Sequence, residues 1–429
     1  MSSKLLLPGG VALVAFLAWF IPFAIETNSI FNIRSDWSPY TAHVTNLQSK
    51  CHNVHPEQLK GCEDIHLVGS SIYTACVTDF TNRQKYWPRY NQLSTSPRSF
   101  SGDKLFRWDL ATDSVIELEL RNFPTESTLA SERSFHGFDV NERADGTVSI
   151  IIINHIQNGS VIEKFHHDPT TNYATHVLRI PTTDPNAAMH PNDIFALPEL
   201  DDDSAFFVTN DHVYADGYMK MVEMLGRRPW TWVSYYSAST GWKRAVEGMI
   251  GANGIAGDKN PVDRKIYVSE IFNGAVRAFS HKGADVLEEI QKVPVKMLGD
   301  NVARSGDDLY VVGPARGLPV GPYIHDMNFL EGPGMMVKRF STKQIGSSFY
   351  GGGYTAPPAV EEIIMDGHGV LGNMSTTAIF VPYEAEKKER VIRDDDDDEE
   401  EIEYAEKPKG DLLVTGLTFK GILKCTNME

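Results

Sequence analysis

From residue 71 to residue 425 the chain repeats one pattern: short apolar runs rich in β-branched and aromatic residues, cut by Gly, Asp and Asn. Such runs occur at 71–77, 104–110, 147–155, 161–167, 205–211, 232–237, 265–271, 275–281, 308–313, 378–384 and 411–425. This is the signature of half-buried and buried strands separated by turns. The helical periodicity that an α/β fold needs is missing. One stretch, 252–283, reads as strand, turn, strand, turn, strand. Four-stranded units of about 40–50 residues build propeller blades, and this much chain holds about six of them. One amphipathic helix stands out at 214–230, with Tyr214, Tyr218, Met221, Val222 and Leu225 on one face. It reads as a rim helix, or as a lid or membrane-touching element.

The N-terminus departs from the strand pattern. Leu5 to Ile25 carries no charge, the length that crosses a bilayer as a helix. Residues 1–25 are expected to be a signal anchor or signal peptide, and the poor small-residue cleavage pattern favours an uncleaved anchor. Residues 26–50 read as a linker, and 51–429 as the globular domain. That assignment puts the globular part in the secretory pathway, facing the lumen or the outside, either anchored or secreted. Of four cysteines, Cys51 and Cys425 stand at opposite ends of that domain; an oxidising compartment permits a disulfide. Asn158 and Asn373 head N-x-S sequons, candidate glycosylation sites in this setting.

The net charge of −17 provides no basic stripe for phosphates and excludes a nucleic-acid binder. Part of it is local: nine acidic residues lie between Asp394 and Glu403, inside an apparent insertion at 385–409. A block of like charges is a solvated loop.

Chemistry enters through paired oxygen side chains beside strand-like runs: Glu63-Asp64, Asn192-Asp193, Asn210-Asp211 and Asp300-Asn301, with Asn253 in "GANGIA". Each pair alone is ordinary turn chemistry. A propeller, however, points its inner strands at one channel, where dispersed motifs converge. Six to eight hard oxygens suit calcium. EF-hand spacing, a Cys/His cluster for zinc and a GxSxG elbow are all absent from the sequence.

Together these motifs resemble the serum paraoxonase/arylesterase family of calcium-dependent lactonases. The matching pieces run in order from "GCEDIHL" (61–67) through "FHGFDV" (135–140), "IINHIQ" (152–157), "PNDIFAL" (191–197), "TNDHVYADGYMKMVEMLG" (209–226), "VEGMIGANGIA" (246–256) and "LGDNVA" (298–303) to Cys425. The resemblance implies an all-β, six-bladed β-propeller with two central calcium ions, one catalytic and one structural. It implies Glu63, Asn192, Asn253, Asp300 and Asn301 as side-chain ligands of the catalytic ion. Asp64, Asp193 and the backbone carbonyl of Phe138 are the implied ligands of the structural one. His136 is the implied general base, His155 its orienting partner, Asp211 and His212 a supporting segment, and Cys51–Cys425 a disulfide. The partners implied are a small lactone or ester substrate and a membrane, reached through the N-terminal helix.

The chain also departs from the family. Gly313-Pro314 stands where the family carries a Cys-His pair, and 78–103, 314–360 and 385–409 match poorly. The expected activity is hydrolysis of lactones and aryl esters, with phosphotriester hydrolysis as a side activity. The alternatives are a gluconolactonase-type hydrolase of sugar lactones and a non-catalytic calcium-stabilised binding module.

Overall fold

A computed structural model describes residues 6–33, 36–77, 102–124, 133–156, 159–198, 204–283, 285–326, 331–346, 356–383 and 409–428. The sequon residue Asn158, nearly all of the acidic insertion and most of the 78–103 loop lie outside them. The described chain is all-β and propeller-like, with strands running from β1 (Cys51–Val54) to β24 (Ile422–Met428).

Three sheets are four-stranded antiparallel meanders in chain order. They are β10 (Pro191–Ala196) to β13 (Gly241–Met249), β14 (Ala252–Gly257) to β17 (Leu287–Pro294), and β18 (Val302–Ser305) to β21 (Glu361–Asp366). An eight-stranded sheet consists of two further antiparallel meanders. One is β2 (Ile65–Val68), β3 (Ser71–Cys76), β4 (Lys104–Asp109) and β5 (Ser114–Arg121). The other is β6 (Phe135–Glu142), β7 (Val148–Ile156), β8 (Gly159–His167) and β9 (Tyr173–Pro181). Parallel pairing of β5 with β9, from Glu119↔Tyr173 to Arg121↔Thr175, joins them. In the fifth sheet β22 (Ser375–Pro382), β23 (Gly410–Gly416) and β24 are completed by β1, the first strand of the chain. The strands that open the meanders, β2, β6, β10, β14, β18 and β22, lie each against the next, and β22 against β2. The core fills the space between neighbouring sheets, as where Phe195, Phe207 and Tyr235 meet Ile255 and Val268.

Ring closure is where the two chain ends meet. β1 runs antiparallel to β24 with Cys51 opposite Cys425, and a disulfide joins the two. A second disulfide, Cys62–Cys76, was not expected. It ties the segment before β2 to the end of β3, neighbours in space that sequence spacing alone does not reveal.

The N-terminal segment differs from expectation in two ways. Helix α1 (Leu6–Phe31) continues beyond Ile25, and α2 (Thr41–Gln48) occupies the stretch read as a linker. Both are docked: Ile30 is buried with Ile271 and Leu298, and Val44 and Leu47 of α2 with Tyr310 and Leu423. Arg227 clamps Glu26 through both guanidinium nitrogens, at 2.6 and 2.9 Å. Among the described residues no helix is long and apolar enough to cross a membrane. From Val14 to Ile25 the described side chains of α1 include exposed Phe16, Trp19, Phe20 and Ile21.

Helix α3 (Gly217–Leu225) reverses the usual amphipathic logic. Its buried residues are Lys220 and Glu223, while Tyr218, Met221 and Leu225 are exposed. Glu223 is held inside because its carboxylate accepts the backbone N–H groups of Val213 (2.9 Å) and Tyr214 (3.1 Å). Burial raises its pKa, the stronger influence against those two bonds.

On the chain-entropy model a crosslink stabilises more as its loop lengthens. The two sequence separations here are 374 and 14 residues. Replacing Cys51 and Cys425 by Ser is expected to cost about 5 kcal/mol, and replacing Cys62 and Cys76 about 3 kcal/mol. Denaturant unfolding of the two double variants checks the order; equal losses would show that strain or residual structure, not loop length, sets the effect.

Candidate functional site

The expected metal ligands and His136 stand at or near the beginnings of the ring strands, whereas His155 lies near the end of β7 and Asp211-His212 follow the strand Phe206–Asn210. Glu63-Asp64 immediately precedes β2, and Asp300-Asn301 immediately precedes β18. The other three groups lie within strands that share one irregularity. The ladder shifts between Phe135 and Phe138, between Pro191 and Ile194, and between Ala252 and Ile255. A bulge releases residues from the ladder and re-aims their side chains. Here it releases His136-Gly137, Asn192-Asp193 and Asn253-Gly254.

These segments touch in sequence around the ring. His136 Nε2 is 3.8 Å from Glu63 Oε1. A Cβ on Gly137 would overlap the backbone of Asn192 and Asp193, so only glycine permits that approach. Asp193 Oδ2 accepts the N–H of Ile255 at 2.8 Å, and Gly254 donates to the Asp300 carbonyl at 3.1 Å. Asn301 donates its backbone N–H to Thr376 O (3.0 Å) and its amide to Glu63 Oε1 (2.8 Å). The Thr376 hydroxyl donates to the Glu63 carbonyl and closes the circle.

The oxygens fall into two groups. Glu63, Asn192, Asn253, Asp300 and Asn301 are buried, at 0–2% exposure. Neither side-chain polar atom of Asn192 or Asn253, nor Oδ1 of Asn301, has a hydrogen-bond partner among the described residues. Buried amides are nearly always bonded, and leaving one unsatisfied costs about 1–3 kcal/mol. Buried oxygens of this kind, on neighbouring segments of the ring, have the donor chemistry that suits a hard cation.

The second group is better satisfied. Asp64 accepts from Ile65 N, Thr377 Oγ1 and His66 Nε2 at 2.8, 3.0 and 2.9 Å, and Asp193 from Ile194 N at 2.8 Å. Burial, then the charges of Asp64 and Glu63, push the Asp193 pKa well above the usual carboxylate range. At Phe138 the atom facing Asp64 is the backbone N–H, 3.5 Å from Oδ2. Among the described residues no group of three or more His, Cys, Asp or Glu side chains gathers as metal ligands do. Amides and backbone make up much of the set instead.

Behind His136 stands His155, with Nδ1 of the first 2.8 Å from Nε2 of the second. Both are buried. The sequon residue Asn373 is engaged through its carbonyl, which accepts the N–H of Gly334 at 2.8 Å.

Two cavities open at this ring. One, about 370 Å³, has Asp300 and His212 in its wall and is otherwise mainly apolar, with Phe31 from α1, Met224 from α3, Leu298 and Ile324. Pro314, at the departure from the family pattern, lines it too. The other, about 580 Å³, sets apolar residues such as Ile65, Phe195 and Phe380 beside the charged or ionisable Asp64, Asp193, His66, Asp139, Lys259 and Arg304. Its last four members went unnoticed in the sequence. Asp139 bonds Lys259 and the N–H of Ala196, and lies 3.5 Å from His66 Nδ1. Burial lowers the His66 pKa, but Asp64 and Asp139 together outweigh it and raise the value. The only sequence hint was that His66 and Asp139 follow recognised motif residues on the same strands.

The family model described as Arylesterase matches residues 92–317. Serum paraoxonase/arylesterase 2 of Bos taurus is 30% identical over 218 residues, which are 49% of this chain and 58% of the relative. Serum paraoxonase/arylesterase 1 of Homo sapiens is 26% identical over 206 residues, 47% of this chain and 54% of the relative. The match thus spans less than two thirds of these relatives. Among solved structures, a luciferin-regenerating enzyme is similar at a TM-score of 0.45 and 9% identity, covering 88% of this chain and 94% of that one.

The cavity wall makes a pH prediction. Burial holds the His212 pKa down to about 4, against the hydrogen bond and charge of Asp211, which raise it. An unfolded histidine titrates near 6.5. Between those values the unfolded chain binds more protons, so the stability is fully present above about pH 6.5 and is lost as the pH falls towards 4. The loss from this one group is about 3 kcal/mol. Unfolding free energies measured from pH 7 to pH 4.5 should fall less steeply in His212→Gln than in the parent; identical slopes would show that other groups carry the acid sensitivity.

Proposed function

The chain belongs to the arylesterase family, and from that premise we propose that it is a calcium-dependent hydrolase of lactones and aryl esters. The fold is read as six four-stranded blades around a channel. The observation that carries the proposal is the set of buried, unsatisfied amide oxygens of Asn192, Asn253 and Asn301, the last bonded through its amide to Glu63 and preceded in the chain by Asp300, which lines an apolar cavity.

Glu63, Asn192, Asn253, Asp300 and Asn301 would hold the first calcium ion. Calcium there supplies positive charge beside a substrate carbonyl, lowering the cost of the negative charge that develops on its oxygen. The chain's own residues do the rest. Asp300 lies in the cavity wall, so the reacting end of the substrate meets this set while Phe31, Met224 and Leu298 surround its apolar part. His136 accepts a proton at Nε2 from the attacking water. The new C–O bond forms, the ester C–O bond breaks, and the proton passes on to the leaving alkoxide. His155 holds the His136 ring from behind. The apolar lining favours aliphatic lactones and aryl esters, while Asp211, His212 and Lys220 in the same wall could serve the hydroxyls of a sugar lactone, the alternative that the substrate panel separates.

A second calcium ion is read between Asp64 and Asp193. Its support is that Asp193 is driven towards the neutral form by burial and by Asp64 and Glu63, a repulsion that a cation relieves. Two disulfides support an oxidising, secretory setting. We read α1 as the membrane attachment, because Phe16, Trp19, Phe20 and Ile21 face away from the protein. Phosphotriester hydrolysis is a side activity of the same reading, through a phosphoryl oxygen in the carbonyl's place.

The direct test is a hydrolysis panel of aliphatic lactones, sugar lactones, phenyl acetate and a phosphotriester, run with calcium and with EGTA. Activity on the first and third that EGTA abolishes is expected; a calcium-loaded protein inert on all four would make this a binding module.

His136→Gln is expected to lower turnover by a factor of about 10²–10⁴ with calcium content unchanged. An unchanged rate removes His136 from the chemistry.

The two ion sites should fail differently. Asp300→Asn is expected to lower activity while the fold survives on the second ion. Asp64→Asn is expected to lower the melting temperature, because it weakens an ion that binds only the folded state. Calcium stoichiometry, melting temperature and kinetics for both variants decide; the opposite pattern would exchange the two assignments.

A further inference from the structure

The contact chain that begins at His136 does not end at His155. His155 Nδ1 lies 2.8 Å from Ser160 Oγ. The two residues are register partners across the β7–β8 hairpin, so strand pairing fixes their approach. Ser160 is itself anchored: it is buried, and its carbonyl accepts the hydroxyl of Thr182 at 2.8 Å. Three side chains on the successive strands β6, β7 and β8 thus form one series of contacts from the Glu63 carboxylate outwards, with separations of 3.8, 2.8 and 2.8 Å.

The proton positions along that line follow from one requirement. For His136 to accept a proton at Nε2, its Nδ1 must carry the hydrogen and donate it to His155 Nε2. His155 then carries its own hydrogen on Nδ1 and needs an acceptor there. Ser160 Oγ, 2.8 Å away, is an acceptor within reach. In the opposite arrangement the serine donates, both histidines carry hydrogen on Nε2, and His136 has no lone pair to offer. A methyl group in place of the hydroxyl removes this partner of His155 Nδ1, an acceptor in the productive arrangement and a donor in the other.

We propose that Ser160 is a positioning residue of this hydrolase: its hydroxyl oxygen accepts from His155 Nδ1 and so holds His155, and through it His136, in the base-competent tautomer. The proposal rests on the reading of His136 as the base. In the sequence Ser160 is only the third residue of the sequon Asn158-Gly159-Ser160, so the same hydroxyl has two separable roles, in glycan acceptance and in the site.

The experiment compares kcat and KM for an aliphatic lactone in Ser160→Ala, Ser160→Thr, Asn158→Gln and His136→Gln, all produced in one secretory host. Ser160→Ala is expected to lower kcat about tenfold, the effect of one lost hydrogen bond, with KM changed less than twofold. Threonine is expected to restore kcat, and Asn158→Gln to match the parent. Nitrogen-15 shifts of the histidines in the unsubstituted protein provide a readout that needs no variant: His155 should be protonated at Nδ1 and bare at Nε2. A parental kcat in Ser160→Ala beside a crippled His136→Gln would overturn the role of Ser160 alone. Equal losses in Ser160→Ala and Asn158→Gln would assign the effect to the glycan and overturn it too. A His155 protonated at Nε2 would do the same even where Ser160→Ala fails to fold. A parental rate in His136→Gln would instead overturn the base assignment on which the proposal stands.

Discussion

Oxygen taken out of water must be compensated, and the centre of this protein is made of such oxygen. Glu63, Asp64, Asp193 and Asp300 are at most 3% exposed, and an isolated buried carboxylate costs several kcal/mol. Strand starts from separate meanders supply the compensation to one another. Ile255 N–H serves Asp193, the Asn301 amide serves Glu63, and Thr377 and His66 serve Asp64. None of these donors is local in sequence except His66. The centre is therefore stable only if the ring is closed, and the ring closes only where β1 pairs with β24 and Cys51 meets Cys425. Satisfaction is incomplete at Asn192, Asn253 and Asn301. On the proposed reading a hard cation completes it, which couples binding of the ion to stability of the fold.

The two ends of the ring solve the same electrostatic problem with different materials. At one end Asp300 and His212 face an apolar cavity walled by helices and by Leu298. Burial there keeps His212 neutral over most of the pH range, with its pKa at about 4. At the other end Asp139, His66 and Lys259 surround Asp64 and Asp193 with alternating charge. An apolar cavity suits a substrate with little hydrogen-bonding capacity better than one in which many charged side chains share the wall. The asymmetry thus assigns the proposed chemistry to one end, and α1 and α3 belong to that end as well.

The strand runs were legible because alternation and β-branched composition are local properties, set by which face of each strand is buried. The oxygen pairs other than Asn210-Asp211, which closes a strand, were legible as motifs, since they fall at strand starts, where a bulge or a preceding loop frees them from the ladder. Their mutual contacts were not legible. Nothing in the spacing of Asn301 and Glu63, or of Ile255 and Asp193, marks them as neighbours. Lys259 and Asp139 were missed for that reason: each is an unremarkable surface-type residue until the ring sets them together. The helix at 214–230 was visible by its periodicity, yet periodicity alone would have buried its apolar face. The structure buries Lys220 and Glu223 instead, because the backbone N–H groups at Val213 and Tyr214 need the carboxylate.

Ser160 shows the same division at the scale of one residue. Its local signal, the sequon, concerns the unfolded chain, whereas its hydrogen bond to His155 exists only once β7 and β8 are in register. What the sequence by itself determined is the most apolar strands, though not the ring strands β2, β6, β10 and β18, together with the class of chemistry its side chains can perform. Those depend on interactions over a few residues. Only the tertiary structure decided which of those side chains meet, which remain unsatisfied and which cavity each one faces. Those outcomes depend on closing a ring across 374 residues of chain, and no local pattern carries that distance.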